Sequence, residues 1–236
     1  KHFHFTDESY PPALFRKLAR GLVESQMGIT WTTHMRFEKS LLEDAVWQDA
    51  RDSGCRYLHF GYESGNERVL KLMDKATTTE IMTKHLKYTA EAGIWNHCMG
   101  FFGFPGETRE DAWSSVEFLE ANKEHVHSLG FGTFDLGRHN PVAKHPEKWG
   151  VTAYKNPEWD LALDYYYTVK NGMSIEEAER VFQEFERNHN SGWDLRLYIR
   201  EYIFLYIARF GLRKLPDLQY QAMKTAGVTP TLAGKM

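Results

Sequence analysis

The chain has 236 residues, of which 42% are hydrophobic and 14% aromatic, so it can bury a sizeable core. Its formal net charge of −3 argues against a bulk electrostatic attraction to nucleic acid or to an anionic membrane. The first residues lack the pattern of a secretory signal, and the two cysteines, Cys55 and Cys98, lack metal-ligand spacing, which favours buried thiols in a reducing cytoplasm.

Apolar strand-like runs alternate with helical periods along the first 135 residues. Because the first of these runs has already begun at Lys1, we expect part of the fold to precede the chain as given. The helix that follows begins at a proline pair, and a capping box of Ser40 and Glu43 is predicted to begin the next one. The predicted strands are residues 1–7, 28–36, 56–63, 94–103 and 128–135, and the predicted helices are residues 13–25, 40–54, 66–73, 77–91 and 109–123.

The end of the fourth predicted strand is the stretch around which the chain is organised. An apolar run ends in Gly100, Gly103 and Gly106 with Pro105 between them, and Glu107 and Thr108 then begin a helix. Glycine permits positive φ and a close approach of backbone to a ligand. Free N–H groups at such a helix start suit an anionic or polar ligand, although the same pattern also forms ordinary strand-to-helix turns.

The last third of the chain follows a different pattern. A loop runs from Arg138 to Pro157, and helices are predicted over residues 157–170, 174–188 and 193–212, with Ser174 and Glu177 in a second capping box. Charged residues within 193–212 argue against a membrane span. The pattern predicts a barrel-like unit over residues 1–150 and a helical region over 151–236.

Five strand-to-helix steps about thirty residues apart predict an α/β fold with parallel strands. Too few strands are present for a closed eight-stranded barrel, so we expect an open, partial barrel followed by a helical C-terminal region. Ligands bind at the carboxyl ends of such strands, and polar residues gather there. The polar positions are Asp7, Glu8, Arg36, Glu63, Ser64, Glu107, Thr108, Asp135, Arg138, His139 and Asn140.

Several phrases, in order and spacing, resemble the radical S-adenosylmethionine (SAM) superfamily over about residues 1–150. They are Thr6-Asp7-Glu8, a strand ending in Arg36, Phe60-Gly61-Tyr62-Glu63-Ser64-Gly65, Met73-Asp74-Lys75, Glu91-Ala92-Gly93-Ile94 and Gly103-Phe104-Pro105-Gly106-Glu107-Thr108. Asn140-Pro141-Val142-Ala143, with Pro146 to Gly150, is similar to the branch whose members often carry an upstream cobalamin-binding domain.

The resemblance implies a partial (β/α)6 barrel in which a 4Fe–4S cluster binds SAM and cleaves it reductively to a 5′-deoxyadenosyl radical. Asp7 and Glu8 match the segment that approaches the SAM amino group, and Arg36, Glu63 and Ser64 match positions near its carboxylate and ribose. Phe101, Gly103 and the fifth strand end at Asp135 match positions that flank the adenine. A zwitterionic ligand needs these opposite charges.

One part of the family pattern is missing from the chain. The family holds its cluster with three cysteines in a CxxxCxxC loop, whereas Cys55 and Cys98 lie before or within strands. We therefore expect the loop to lie upstream, and the 236 residues alone to be a catalytically silent core fragment. The resemblance leaves open whether cobalamin is used through an upstream domain, and it names no substrate among small molecules or peptides.

Two other functions remain open at this point. His2 and His4 share a strand face as in metal-dependent barrel hydrolases, with His34, His59, Asp7, Glu63 and His139 as further candidate ligands. A non-catalytic, degenerate barrel acting as a scaffold is the other alternative. Its partner surface would be the aromatic and basic residues of the last predicted helix.

Overall fold

The computed structural model describes residues 1–7, 9–154, 161, 163–188 and 200–213. The strands are β1 (His2–His4), β2 (Thr30–Met35), β3 (Cys55–Glu63), β4 (Trp95–Phe102), β5 (Ser128–Thr133), β6 (Leu136–Gly137), β7 (Val151–Tyr154) and β8 (Asp164–Val169). The helices are α1 (Pro12–Ser25), α2 (Asp44–Asp52), α3 (Glu67–Leu72), α4 (Thr79–Glu91), α5 (Arg109–Ala121), α6 (Pro141–Lys144), α7 (Ile175–Asn188) and α8 (Arg200–Phe210).

Strands β1 to β5 form a parallel sheet in chain order. Helices follow these strands as crossovers, as parallel pairing requires. Within the described residues, this arrangement is half of a barrel, which confirms the predicted α/β partial barrel. Each of the five strands lies within the predicted run, apart from Cys55, which begins β3 one residue early.

The two faces of the sheet differ in polarity. On the helix-covered face, apolar side chains such as Trp31, Met35, Phe60 and Phe102 are almost fully buried. The opposite face brings His34, His59 and His97 into one row, because they are register partners on β2, β3 and β4. A polar inner face is consistent with a barrel interior that receives a polar ligand.

Three local predictions were wrong. The loop predicted from Arg138 to Pro157 contains the short helix α6 and the strand β7. Glu43, not Ser40, precedes α2, and neither residue forms the expected capping box, since Ser40 lies in a short 3₁₀ turn. The predicted helix over 157–170 is contradicted by β8, whose tyrosine-rich run forms a strand by antiparallel pairing with β7 and β6. β-Branched and aromatic residues suit this half-buried sheet better than a helix.

The helical region after β8 follows the prediction more closely. Ser174 and Glu177 form the predicted capping box at the start of α7, with backbone-to-side-chain distances of 2.8 and 3.3 Å. Of the predicted helix over 193–212, α8 and the residues to 212 are described, and residues 193–199 lie outside the described ranges. No helix in the described part of the chain is long and apolar enough to cross a bilayer.

Helix α8 closes the end of the sheet at which the strands begin. Its Tyr206 and Ile207, with Leu212 just beyond it, pack against the buried side chains of Tyr57 and Trp95. The rings of Trp95 and Tyr206 meet edge to face with centroids 5.4 Å apart. The carboxyl ends of the strands, where ligands bind in this class of fold, lie at the opposite end.

Candidate functional site

A cavity of about 460 Å³ lies at the carboxyl ends of β2 and β3. Its size falls within the range of small-molecule sites. Charged, imidazole and apolar groups surround it together. It is lined by Ser9, His34, Met35, Arg36, Phe37, Glu38, His59, Gly61, Glu63, Lys75, Ala76, Thr77 and Met99.

Arg36 and Glu63 both line this cavity, which confirms that they share one mouth of the barrel. A register shift between Gly61 and Glu63 marks a bulge at the end of β3, and Glu63 has a φ of 61°. A side-chain-bearing residue rarely adopts this left-handed conformation, and such outliers concentrate at functional sites. The bulge therefore places the Glu63 carboxylate beside the cavity.

Lys75 lines the cavity together with the charged residues Arg36, Glu38 and Glu63, and it was not among the predicted site residues. Its Nζ lies 2.9 Å from Oε1 of Glu63, and both side chains are partly exposed. Helix α3 ends in a Schellman motif: the N–H of Lys75 donates to Leu70 and that of Asp74 to Lys71, with Asp74 at a φ of 54°. This helix end directs Lys75 back to the strand that carries Glu63.

Two imidazoles, His34 and His59, line the cavity beside the charged residues. His34 and His59 stack with ring centroids 4.6 Å apart, and His4 and His97 each lie 5.5 Å from His59. His97 also contacts Ser128 Oγ at 2.8 Å. No group of three or more His, Cys, Asp or Glu side chains among the described residues is placed to hold a metal ion.

Other predicted site residues lie elsewhere. Asp7 is exposed and does not line the cavity, and Glu8 lies outside the described residues. Ser64 is buried, and its Oγ lies 2.8 Å from Ser115 Oγ on α5, so in this structure it ties β3 to the helix layer. Asp135 lines a separate groove beside Asp164 and is largely exposed. Its partial burial and, to a smaller extent, the negative charge of Asp164 raise the pKa of its carboxyl.

The glycine-rich turn after β4 is held by its own glutamate. Gly103, at a φ of 89°, donates its N–H to the buried Glu107 carboxylate, while Phe101 packs against Phe104 in a second apolar cluster. The other oxygen, Oε1 of Glu107, is buried with no hydrogen-bond partner among the described residues. Burial raises the pKa of Glu107 to about 7.

A segment just before α7 covers this turn. The Met173 N–H donates to the Glu107 carbonyl at 2.8 Å, and Gly106 donates to the carbonyl of Asn171 at 3.1 Å. A Cβ on Gly172, whose φ is 90°, would lie 2.7 Å from that Glu107 carbonyl oxygen. Only glycine permits this close approach.

The two cysteines lie away from the cavity. Both are fully buried and form no disulfide bond. Burial raises the pKa of Cys55 to about 12 and raises that of Cys98 as well. Because metal ligation requires thiolates, two buried thiols of raised pKa do not fit an iron–sulfur cluster.

The described geometry agrees with a known family. The family model of the radical SAM superfamily matches residues 6–119. This match identifies residues 6–119 as a radical SAM domain. The matched residues of this radical SAM domain include Arg36, Glu63, Lys75 and the turn that ends in Glu107.

Two curated relatives of this chain are methyltransferases by name. An uncharacterized methyltransferase of Pyrococcus horikoshii is 29% identical over 124 residues, 51% of this chain and 26% of that protein. The cytidylyl-2-hydroxyethylphosphonate methyltransferase of Streptomyces wedmorensis is 28% identical over 206 residues, 81% of this chain and 37% of that protein. The chain thus spans about a quarter to two fifths of these relatives.

Solved structures support the fold. The cobalamin-dependent SAM radical enzyme OxsB, with aqua-cobalamin bound, superposes with a TM-score of 0.60 at 14% identity, covering 95% of this chain and 38% of that one. At this identity the likeness shows the radical SAM fold alone.

Proposed function

We propose that this chain is part of a radical SAM enzyme that transfers a methyl group, and that the 460 Å³ cavity binds SAM. The observation that carries the proposal is the convergence of Arg36, Glu63 and Lys75 on this cavity at the carboxyl ends of the strands. The matched family model and the two methyltransferase relatives support the reaction class.

The charges around the cavity fit the amino-acid part of SAM. That part carries an ammonium and a carboxylate, which need an anionic and a cationic partner. Arg36 and Lys75 are the cations that would hold the carboxylate, and Glu63 is the anion for the ammonium or the ribose hydroxyls. The ion pair between Lys75 and Glu63 keeps both side chains oriented before the ligand arrives.

The iron–sulfur cluster that the family uses to deliver an electron to SAM does not fit this chain's thiols. The whole sequence has two cysteines, and neither lines the cavity. We therefore propose that the cluster ligands come from residues outside these 236. The cobalamin named in OxsB supports, as a further part of the proposal, a cobalamin partner domain in the whole protein.

The remaining parts of the proposal concern substrate and location. The methyl acceptor is a small molecule or a peptide, because the net charge of −3 offers no general attraction to nucleic acid. The two free thiols support a reducing cytoplasm as the compartment.

SAM binding tests the cavity directly. We expect Lys75→Ala to weaken SAM binding to the 236-residue chain about tenfold, because one charge-assisted contact to the carboxylate is lost. Calorimetric titration with SAM measures the effect. Lys84→Ala is the matched control, since Lys84 forms an exposed ion pair with Glu80 on α4 away from the cavity. Equal losses in both variants, or none in either, would place the SAM site elsewhere.

Catalysis tests the cluster part of the proposal. After anaerobic reconstitution with iron and sulfide, and with dithionite and SAM present, we expect these 236 residues to produce no 5′-deoxyadenosine. The reason is the lack of a thiolate set that holds a cluster. Chromatography of the products measures the outcome, and multiple turnovers would show that the chain binds a cluster by other residues.

A further inference from the structure

A second cavity lies at the opposite end of the sheet from the proposed SAM site. It has a volume of about 370 Å³ and occupies the space between the beginnings of β1, β2 and β3 and the end of α8. It is lined by His2, Thr30, Arg51, Arg56, Gly93, Ile207, Ala208, Gly211 and Leu212. It shares no lining residue with the cavity proposed for SAM.

Two guanidinium groups line this second cavity. Arg51 lies in the last turn of α2, and Arg56 is the second residue of β3. Nη1 of Arg51 is buried and has no hydrogen-bond acceptor among the described residues. Nη1 of Arg56 donates to the carbonyls of Arg51 and Cys55 at 2.7 and 2.8 Å. In the described part of the chain, neither guanidinium forms an ion pair with a carboxylate.

This arrangement is unfavourable without a counter-ion. Burial lowers the pKa of Arg56, and the charge of Arg51 lowers it further, while Asp52 offsets this only in part. A partly buried charge without a hydrogen-bonded partner costs free energy, and a like charge beside it adds to that cost. An anion between the two guanidinium groups removes both penalties and supplies the missing acceptor for Arg51.

The remaining wall of the cavity is apolar. Ile207, Ala208 and Leu212 come from the end of α8, and Gly93 leaves room beside Arg51, since a Cβ there would lie 3.3 Å from Nε of Arg51. The volume is at the small end of the range for small-molecule sites. The space therefore suits a short apolar chain attached to a charged group better than a free inorganic ion.

We propose that this cavity binds an organic anion, a carboxylate or a phosphate monoester with a short apolar tail. Its charged group lies between Arg51 and Arg56, and its tail lies against the last turn of α8. Because the ligand contacts both α8 and the strands, its binding holds α8 on the sheet. The site is separate from the cavity proposed for SAM, so either proposal can fail without the other.

Titration of the 236-residue chain with hexyl phosphate, hexanoate and inorganic phosphate tests the site at constant ionic strength. We expect hexyl phosphate or hexanoate to bind more tightly than inorganic phosphate, and the tighter of the two identifies the preferred head group. Arg51→Gln should weaken that binding about tenfold, because a charge-assisted hydrogen bond is lost. Arg20→Gln is the matched control, since Arg20 is an exposed arginine paired with Asp49 on the outer helices, and it should bind as the unchanged chain does.

A second variant tests the same charges without removing them. Ala208 is exposed and lines the cavity, so Ala208→Glu provides a tethered carboxylate beside the arginines. We expect this variant to lose hexyl phosphate binding and to melt at a higher temperature than the unchanged chain. Three results would overturn the proposal: equal affinity in Arg51→Gln and Arg20→Gln, no preference for a tailed anion, or unchanged binding in Ala208→Glu.

Discussion

The environment of Glu107 differs from what its place in the sequence indicates. After a glycine-rich turn, a glutamate predicts an exposed first-turn carboxylate, yet here it is fully buried and accepts the Gly103 N–H. The cause is the segment of residues 171–173, which lies over the turn and excludes water from it. Local sequence does not reveal such a long-range cover.

The raised pKa of Glu107 predicts a pH-dependent stability. The carboxyl titrates near pH 7 in the folded chain and near its usual 4.5 when unfolded, so the folded state holds more protons between these values. Stability should therefore fall as the pH rises from about 4.5 to 7. Glu107→Gln should remove this fall and make the chain more stable at pH 8, by on the order of 3 kcal/mol.

Urea denaturation at pH 5 and at pH 8 measures this effect. Glu110→Gln serves as the control, because Glu110 is exposed in the first turn of α5. If both variants showed the same dependence on pH as the unchanged chain, the Glu107 carboxyl would have to be solvated in solution.

The charged residues of the proposed SAM cavity were also only partly predictable from the sequence. Arg36 and Glu63 follow from the rule that parallel strands end at one edge of a sheet. Ser64 follows Glu63, but the left-handed turn at Glu63 ends the strand, and the Ser64 hydroxyl contacts Ser115 of α5 instead of the cavity. Lys75 could be predicted only by noticing that Asp74 ends α3 in a left-handed turn that reverses the chain.

Among the elements, strand β3 and helix α5 pack closely at a glycine that has no room for a side chain. A Cβ on Gly65 would lie 2.2 Å from Tyr62 Oη and 2.6 Å from Phe118 Cβ. Tyr62 in turn donates to the Ser115 carbonyl at 2.7 Å. The glycine after Glu63 and Ser64 therefore allows β3 and α5 to approach closely, and this packing holds the end of β3 in place.

Gly65→Ala should destabilise the chain by about 2 kcal/mol, because the added methyl group overpacks this contact. Gly21→Ala should instead stabilise it by about 0.5 to 1 kcal/mol, since Gly21 lies in α1 with no atom near the added Cβ. Thermal unfolding of both variants measures these opposite changes in stability. A stabilising effect at position 65 would show that α5 is not packed as described.

The starts of the helices show how far a local sequence pattern predicts the structure. Thr108 with Asp111 and Ser174 with Glu177 form capping boxes, whereas Ser40 with Glu43 has the same spacing but does not. The difference is tertiary, because Arg16 of α1 donates to the Ser40 carbonyl and to the Glu43 carboxylate. The same limit explains β8, whose strand state depends on pairing with β6 and β7.

For the molecule as a whole, the parallel half-barrel was predictable because repeated strand-to-helix steps leave few alternative topologies. The position of α8 was not, because its helical pattern does not show which surface it packs against. The structure places it over the amino ends of the strands, where Tyr57 and Trp95 are buried beneath Tyr206. One end of the sheet is thereby closed, and the other carries the proposed SAM cavity.

Tyr206→Asp should release α8 from the sheet, because a carboxylate replaces a ring that packs on Trp95. Amide hydrogen exchange in α8 should accelerate by about ten- to thirtyfold, while β3 and β4 stay protected, since the parallel sheet has its own apolar layer on the helix-covered face. Leu205→Asp is the control on the same helix, because Leu205 is 62% exposed. Equal acceleration in both variants would mean that α8 is held by its helical propensity rather than by the contact with Trp95. Faster exchange throughout β3 and β4 would mean that α8 is an integral part of the barrel core.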